Sequence, residues 1–95
     1  DEVTLHGGTF QLRRNGEAVT LPKLEYRLME VLIRNQGIYL SSEDLLVKVW
    51  GYNTEAELGT VWVYLSYLRK RLAKLGSRVK IKGHRGIGYT LEVGQ

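Results

Sequence analysis

Residues 60–72 read TVWVYLSYLRKRL and residues 79–91 read VKIKGHRGIGYTL, and these two neighbouring segments decide the fold. The first segment begins an apolar pattern with steps of 4, 3, 4 and 3 residues, made by Val61, Leu65, Leu68, Leu72 and Leu75. That spacing predicts a helix with one buried stripe. In the second segment, apolar and basic residues alternate over 79–82 and glycines mark a turn at 83–88. Residues 89–93 then run back along the first strand. The alternation and the turn predict a β-hairpin.

The side of this helix opposite the buried stripe is aromatic and basic. At about 100° per residue, the outer side centres on Val63, Ser66, Tyr67, Lys70 and Lys74. Tyr64 and Arg71 lie on one flank of it, and Trp62 and Arg69 lie on the other. No acidic residue occurs in this helix, so its outer side suits a polyanionic partner.

The residues before these two segments predict three short strands and two more helices. The strand candidates are residues 3–5, 10–14 and 17–21, and Asn15-Gly16 between the last two favours a type I′ turn. Pro22 stands where a first helix over 23–36 begins, and Gly37 stops it. Residues 41–44 (SSED) are a strong start for a second helix, which ends at Gly51 and buries Trp50 in its apolar stripe. An extended link at 38–40 and a polar loop at 52–57 connect these helices.

Charge is distributed unevenly along the chain. Its 95 residues include 14 Lys or Arg and 10 Asp or Glu, a formal net charge of +4. Residues 1–57 carry a net −3, whereas residues 58–91, the basic segment, hold eight basic side chains and no acidic one. Because a block of one sign destabilises a fold by self-repulsion, a polyanionic partner is indicated. The alternative is a solvated face on which the charges fall together.

Length and composition limit the class of protein. One domain over residues 1–95 fits the length, and 43% hydrophobic with 25% charged residues disfavours disorder. The absence of Cys excludes disulfide frameworks and thiolate zinc sites, and it is weakly consistent with a reducing, cytoplasmic location. No apolar run is long enough to span a bilayer, so no membrane partner is predicted.

Strands, then three helices, then a basic hairpin predict an α+β fold of the winged helix-turn-helix class. It combines an N-terminal antiparallel sheet, three helices and a C-terminal β-hairpin wing. The third helix, about residues 58–75, suits the major groove, roughly 12 Å wide, and the wing, residues 79–93, can reach flanking backbone or the minor groove. The predicted function is sequence-specific binding of double-stranded DNA for transcription regulation.

Five stretches of the chain support a family resemblance. They are Leu21 to Met29, Ser42 to Leu46, Val49-Trp50-Gly51, Thr60 to Leu72, and Arg85-Gly86-Ile87-Gly88-Tyr89. Together they resemble the OmpR/PhoB-type effector domain, the DNA-binding half of many bacterial two-component response regulators. The resemblance implies a four-stranded N-terminal sheet, where the pattern alone gives three strands.

The resemblance also implies partners. The family binds direct-repeat sites in double-stranded DNA, commonly as a head-to-tail dimer, when a receiver domain is phosphorylated by its sensor kinase. The loop after the second helix is implied to touch RNA polymerase through Tyr52, Asn53, Thr54, Glu55 and Glu57. The chain contains no receiver domain. Asp1 in place of Met favours a fragment, and a stand-alone protein is the alternative.

The chain departs from the commonest family pattern at four positions. Gly59, Trp62, Tyr64 and Tyr67 stand where the family often has Arg, Asp, His and Arg. Tyrosine donates hydrogen bonds to phosphates or bases but lacks the fork with which Arg binds guanine. Contacts to DNA shape, phosphates and methyl groups are therefore expected to dominate. Val63 matches a family position that meets thymine methyl groups.

The predicted DNA-binding residues are Val63, Tyr64, Ser66, Tyr67, Arg69, Lys70, Lys74 and Arg85. Arg69 is expected to bind a phosphate, and Arg85 a phosphate or the minor groove. The alternative for each cation is an ordinary surface charge, and for Tyr64 it is partial core packing. Lys80 and Lys82 fit edge protection of the hairpin nearly as well as DNA contact. Trp62 is left open between wing packing, DNA contact and a protein interface.

Other functions find little support in the sequence. His6 and His84 have no Cys or acid at ligand spacing, so no metal site is predicted. The glycines at 83–88 lead into a strand, whereas a phosphate-binding loop opens a helix. Neither catalysis nor a cofactor is expected. The rival function is a protein-interaction module that uses the surface of Trp62, Tyr64 and Tyr67, and RNA binding is a weaker third possibility.

Overall fold

The N-terminal sheet is a three-stranded antiparallel meander. The computed structural model describes residues 3–94, so Asp1, Glu2 and Gln95 of the predicted domain lie outside the described residues. Strands β1 (Thr4–His6), β2 (Gln11–Arg14) and β3 (Glu17–Thr20) pair in that order. The φ angles of Asn15 and Gly16 are 49° and 83°, as the predicted type I′ turn requires.

The number of strands in this sheet corrects one implication of the resemblance. Within residues 3–94 the sheet has three strands and not four, as the alternation pattern predicts. Residues 7–10 form a turn, and after Thr20 the chain passes through Pro22 directly into a helix. No further residues are therefore available for a fourth strand in this part of the chain.

Helix α1 (Lys23–Arg34) ends two residues before the predicted boundary. The Asn35 side chain donates a hydrogen bond to the Val31 carbonyl at 2.7 Å, which satisfies a free carbonyl of the last turn. Its buried residues are mainly apolar; they are Glu25, Tyr26, Leu28, Met29 and Leu32.

The second helix is α-helical only in its first half. Helix α2 (Ser42–Leu45) begins at a capping box, in which the Asp44 N–H donates to Ser41 Oγ and the Ser41 N–H donates to Asp44 Oδ2. It continues as a π-helical segment (Leu46–Trp50) up to Gly51, a difference from the single regular helix predicted. Leu45 and Val49 are both buried in the core.

Helix α3 (Leu58–Lys74) has the buried stripe that its spacing predicts. The five residues of that stripe, Val61, Leu65, Leu68, Leu72 and Leu75, are all buried. Gly76 follows the helix, and the Ser77 N–H donates to the Leu72 carbonyl, closing the last turn. The stripe belongs to one hydrophobic cluster that also includes Leu12, Leu28, Leu45 and Ile81.

The wing is the predicted C-terminal hairpin. Strands β4 (Val79–His84) and β5 (Gly88–Val93) pair antiparallel, with Val79, Ile81 and Leu91 buried against the core. The extended link also contributes, because Leu40 and Tyr89 exchange backbone hydrogen bonds of 2.9 and 2.8 Å. The wing therefore stands beside α3 and the beginning of α2.

Candidate nucleic-acid interface

The outer side of α3 is exposed, as the helical spacing predicts. Val63 is 46% exposed and Tyr67 is 43% exposed. Ser66, Lys70 and Lys74 are also exposed. The structure thus brings these five predicted residues together on one face of the helix.

Tyr64 is partly buried on the flank of this face. Its ring packs edge-to-face against Trp50, with centroids 5.2 Å apart, and lies 5.5 Å from the ring of Tyr67. Both Trp50 and Tyr64 pack against the hydrophobic core. The structure therefore shows partial core packing for Tyr64, the alternative considered from the sequence. Tyr64 therefore supports the position of Tyr67 as well as bordering the outer side.

Trp62 connects α3 to the beginning of α2. Its indole Nε1–H donates a hydrogen bond to Ser42 Oγ at 3.0 Å, while 52% of the residue stays exposed. The indole also lines an open cleft whose other walls are Ser42, Arg85 and Ile87. The sequence left the role of Trp62 open, because the spacing of residues does not indicate its hydrogen bond to Ser42.

Two arginines of α3 have protein partners. Arg69 donates from Nε and Nη2 to the Ile81 carbonyl of the wing, at 3.3 and 3.1 Å. Arg71 Nε donates to Glu25 Oε1 of α1 at 3.1 Å. Arg71 is therefore part of an ion pair between two helices, and the surface charge of the basic segment is smaller than its sequence total. Arg69 as a whole is exposed to solvent, although its guanidinium is hydrogen-bonded to the Ile81 carbonyl.

The wing presents Arg85 near its tip. Arg85 is exposed, and the turn behind it is closed by a hydrogen bond from the Ile87 N–H to the His84 carbonyl. Lys80 and Lys82 are exposed on β4, with Lys82 Nζ 3.8 Å from a Glu92 carboxylate oxygen. Because both partners of that pair are about half exposed, it contributes little stability. Exposed cations thus occur both on α3 and on the wing.

The family of the chain follows from a comparison with known domains. Residues 16–91 match the family described as "Transcriptional regulatory protein, C terminal". The chain belongs to this family. Its members include OmpR/PhoB-type domains, so the resemblance noted in the sequence is confirmed.

Curated relatives of this family are response regulators. The response regulator ArlR of Staphylococcus epidermidis is 39% identical over 89 residues, which cover 94% of this chain and 41% of the relative. ArlR of Staphylococcus aureus is 36% identical over the same shares. The chain spans about two fifths of the length of these relatives.

Solved structures of similar fold include several DNA-binding domains. That of CadC from E. coli has a TM-score of 0.87 and 29% identity, covering 97% of this chain and 87% of its own. That of RstA from Klebsiella pneumoniae, in complex with the RstA box, has a TM-score of 0.76 and 26% identity, covering 95% and 90%. The winged-helix fold class is confirmed, and the chain is a DNA-binding domain of the transcription-regulator type.

The loop between α2 and α3 is the remaining predicted site of this family member. Tyr52, Asn53, Glu55 and Glu57 are exposed, Tyr52 to 88%. Thr54 is half-buried, and its Oγ1 accepts a hydrogen bond from the Ala56 N–H at 3.0 Å. Four side chains of the loop are thus available to a partner, whereas Thr54 shapes the loop.

Within residues 3–94, no group of three or more His, Asp or Glu side chains is arranged to hold a metal ion. His6 lies 3.2 Å from Thr4 Oγ1, and the His84 ring packs edge-to-face on Tyr39. In the same part of the chain, no helix combines the length and apolar character that crossing a bilayer requires. The family is a class of transcription regulator and not a class of enzyme.

Proposed function

We propose that this domain binds specific sites in double-stranded DNA as the output domain of a phosphorylation-controlled response regulator. The observation that carries the proposal is the acid-free basic segment, most of whose cations are exposed on α3 and on the wing. Phosphates attract such a surface strongly, and counterion release supplies much of the affinity. The relatives named as response regulators support the regulatory context.

In the proposed docking, the outer side of α3 enters the major groove. Val63 and Tyr67 meet base edges, Ser66 and Tyr64 donate hydrogen bonds, and Lys70 approaches the backbone. Lys74, one turn further along α3, adds another phosphate contact. Residues 58–68 contain no Arg, Lys, Asn or Gln, the side chains that pair with guanine or adenine through two hydrogen bonds. Methyl and shape contacts therefore carry more of the specificity than direct pairing does.

The wing completes the proposed interface. Arg85 and the exposed lysines of β4 hold the neighbouring backbone, and Arg85 is close enough to the hairpin tip to enter the minor groove. Arg69, at the junction of α3 and the wing, adds to the same electrostatic surface. Direct-repeat sites bound by head-to-tail dimers fit the family to which the chain belongs.

The partners of the longer regulator form part of the proposal. A receiver domain, phosphorylated by its sensor kinase in the cytoplasm, would control pairing of two copies on DNA. The exposed, acidic side chains Glu55 and Glu57, with Tyr52 and Asn53, offer a surface to RNA polymerase. This assignment rests on the exposure of the loop and on the family resemblance.

Binding to a random-sequence duplex, measured by fluorescence anisotropy at several salt concentrations, tests the proposal. If about four to six phosphates are neutralised, the slope of log affinity against log salt is about −4 to −5. Raising salt from 50 to 200 mM then weakens binding about 250- to 1,000-fold. No binding at low salt, or a slope near zero, would contradict the proposal.

Two variants test the roles within the interface. Arg69→Ala is expected to weaken binding to all duplexes alike, whereas Val63→Ala is expected to weaken binding to one preferred site more than to others. Arg34→Ala, which removes a charge from α1 outside the basic segment, serves as the control and is expected to leave affinity nearly unchanged. Equal losses on all sequences for Val63→Ala would remove it from base reading.

A second candidate function is protein interaction through Trp62, Tyr64 and Tyr67. The observation in its favour is the exposure of Trp62, Val63 and Tyr67, a group of large apolar side chains on one helix. If the folded wild-type domain does not bind the duplex at low salt, protein interaction is favoured over DNA binding. Preference for single strands over duplex in the same titration would favour RNA.

A further inference from the structure

The wing leaves the hydrophobic core at Ile81. Val79 and Ile81 are buried, whereas the following β4 residues, 82–84, are all exposed. The half of the wing that carries Arg85 therefore projects without a buried side chain on β4. A two-stranded hairpin is marginally stable by itself in water. In this half only β5 still meets the core, through Tyr89 and the buried Thr90, so contacts other than core packing must position β4.

Contacts on both edges of the wing hold it where it leaves the core. On the β5 edge, Leu40 and Tyr89 exchange two backbone hydrogen bonds. On the β4 edge, the Ile81 carbonyl accepts two hydrogen bonds from the Arg69 guanidinium, at 3.3 and 3.1 Å. Every second carbonyl of a hairpin strand points away from its partner strand, so the Ile81 carbonyl has no partner within the hairpin. Arg69 supplies that partner from α3.

The local geometry suits arginine in particular. Two N–H groups of one rigid fork reach the same oxygen, which the single ammonium of Lys cannot reproduce. Gly83, next on the same edge of β4, leaves the space that Arg69 and the Tyr89 ring use. A Cβ at Gly83 would lie 3.2 Å from the Tyr89 ring and 3.8 Å from Arg69 Nη2. The guanidinium is thus seated against the backbone of the wing.

We propose that Arg69 is a positioning residue that fixes the projecting half of the wing relative to the outer side of α3. The inference rests on the proposed function, because it concerns how α3 and the wing meet the same duplex. A wing held in place before binding loses less conformational freedom on binding, which raises affinity. Arg69 then contributes through the contact that Arg85 makes, in addition to its own charge.

Hydrogen exchange of the free domain tests the positioning role without DNA. In Arg69→Lys and Arg69→Ala, amides of residues 82–89 are expected to exchange about tenfold faster. This factor is what the loss of about one charge-assisted hydrogen bond would cause. Lys70→Ala, the neighbouring cation without this contact, is the matched control and is expected to leave them unchanged. Amides of α1 report any global loss of stability. Wild-type exchange rates in both Arg69 variants would overturn the proposal.

A double-mutant cycle in DNA binding tests the coupling. Arg69→Lys retains the charge, so a simple phosphate contact predicts a near-neutral effect, whereas positioning predicts a loss of about three- to tenfold. Positioning also predicts that Arg85→Ala costs less affinity in the Arg69→Lys background than in the wild type. Additive losses would overturn the coupling.

The two experiments separate failure of the inference from failure of the proposed function. If the wild-type domain binds no duplex at low salt, the proposed function fails, and with it the statement about DNA. If the wild type binds DNA but the wing amides of the Arg69 variants exchange hydrogen at the wild-type rate, the proposed function stands and the positioning role fails.

Discussion

Glu25 is a carboxylate in the core of the molecule, with only 3% of its surface exposed. Its oxygens accept hydrogen bonds from Arg71 Nε at 3.1 Å and Nη2 at 3.5 Å, which links α1 to α3. A buried charge is tolerated when a partner and hydrogen bonds offset its loss of hydration. In sequence, Arg71 reads as one more cation of the basic segment. In the fold, it compensates Glu25.

Removing Arg71 is expected to destabilise the fold. Arg71→Ala leaves the Glu25 carboxylate buried and unpaired, which is expected to lower the free energy of unfolding by about 2 kcal/mol. This value is below the usual range for buried pairs because the Arg71 side chain is one third exposed. Urea denaturation measures the effect, with Lys70→Ala as the control at about 0.5 kcal/mol or less. Equal stability of the two variants would show that the pair is unimportant.

At the scale of elements, α2 depends on its N-terminal cap. Ser41 and Asp44 form both hydrogen bonds of a capping box, and only four residues of regular α-helix follow. Ser41→Ala is expected to cost about 1 kcal/mol of unfolding free energy. Ser66→Ala, on the exposed side of α3, is the control and is expected to change stability by less than about 0.5 kcal/mol. A neutral Ser41→Ala would mean that the helix beginning is held by packing alone.

The wing depends on a glycine that follows its turn and begins β5. Gly88 has a φ of 147°, and a Cβ there would lie within 2.9 Å of the Leu40 carbonyl group and of the Ser41 nitrogen. Gly88→Ala is expected to cost about 2 kcal/mol or more, because both the backbone angle and the Leu40–Tyr89 pairing must change. Gly8→Ala, where nothing lies within 4 Å, is the control. Thermal unfolding of the two variants compares them directly.

At the scale of the whole molecule, the charge is asymmetric. The basic segment comprises α3 and most of the wing, and within it Arg71 is paired with the buried Glu25. Lys70→Ala is expected to make the log–log salt slope of duplex binding less steep by about 0.9, the share of one phosphate. Arg34→Ala is expected to leave the slope unaltered. Identical slopes for the wild type and Lys70→Ala would place Lys70 outside the DNA contact.

Local regularities explain how much of the fold was predictable. The stripe on α3, the Asn15-Gly16 turn, the capping residues before α2 and the alternation of β4 all act between residues close in sequence, and each element was confirmed. The C-terminal boundary of α1 was not predicted, because a side-chain contact of Asn35 with Val31 marks it, and neither was the π-helical half of the second helix. The fourth strand was inferred from resemblance, and the first sheet does not contain it.

The sequence by itself determined the order of the elements, the buried stripe and the outer side of α3, since periodicity places these within a single helix. Tertiary structure alone decided what the polar groups of α3 contact. Arg69, Arg71 and Trp62 bond to residues 12, 46 and 20 positions away in sequence. Those contacts depend on how α1, α2 and the wing pack around α3, and helical spacing carries no information about neighbouring elements. The same eight cations therefore divide into exposed charges and structural partners only in the folded domain.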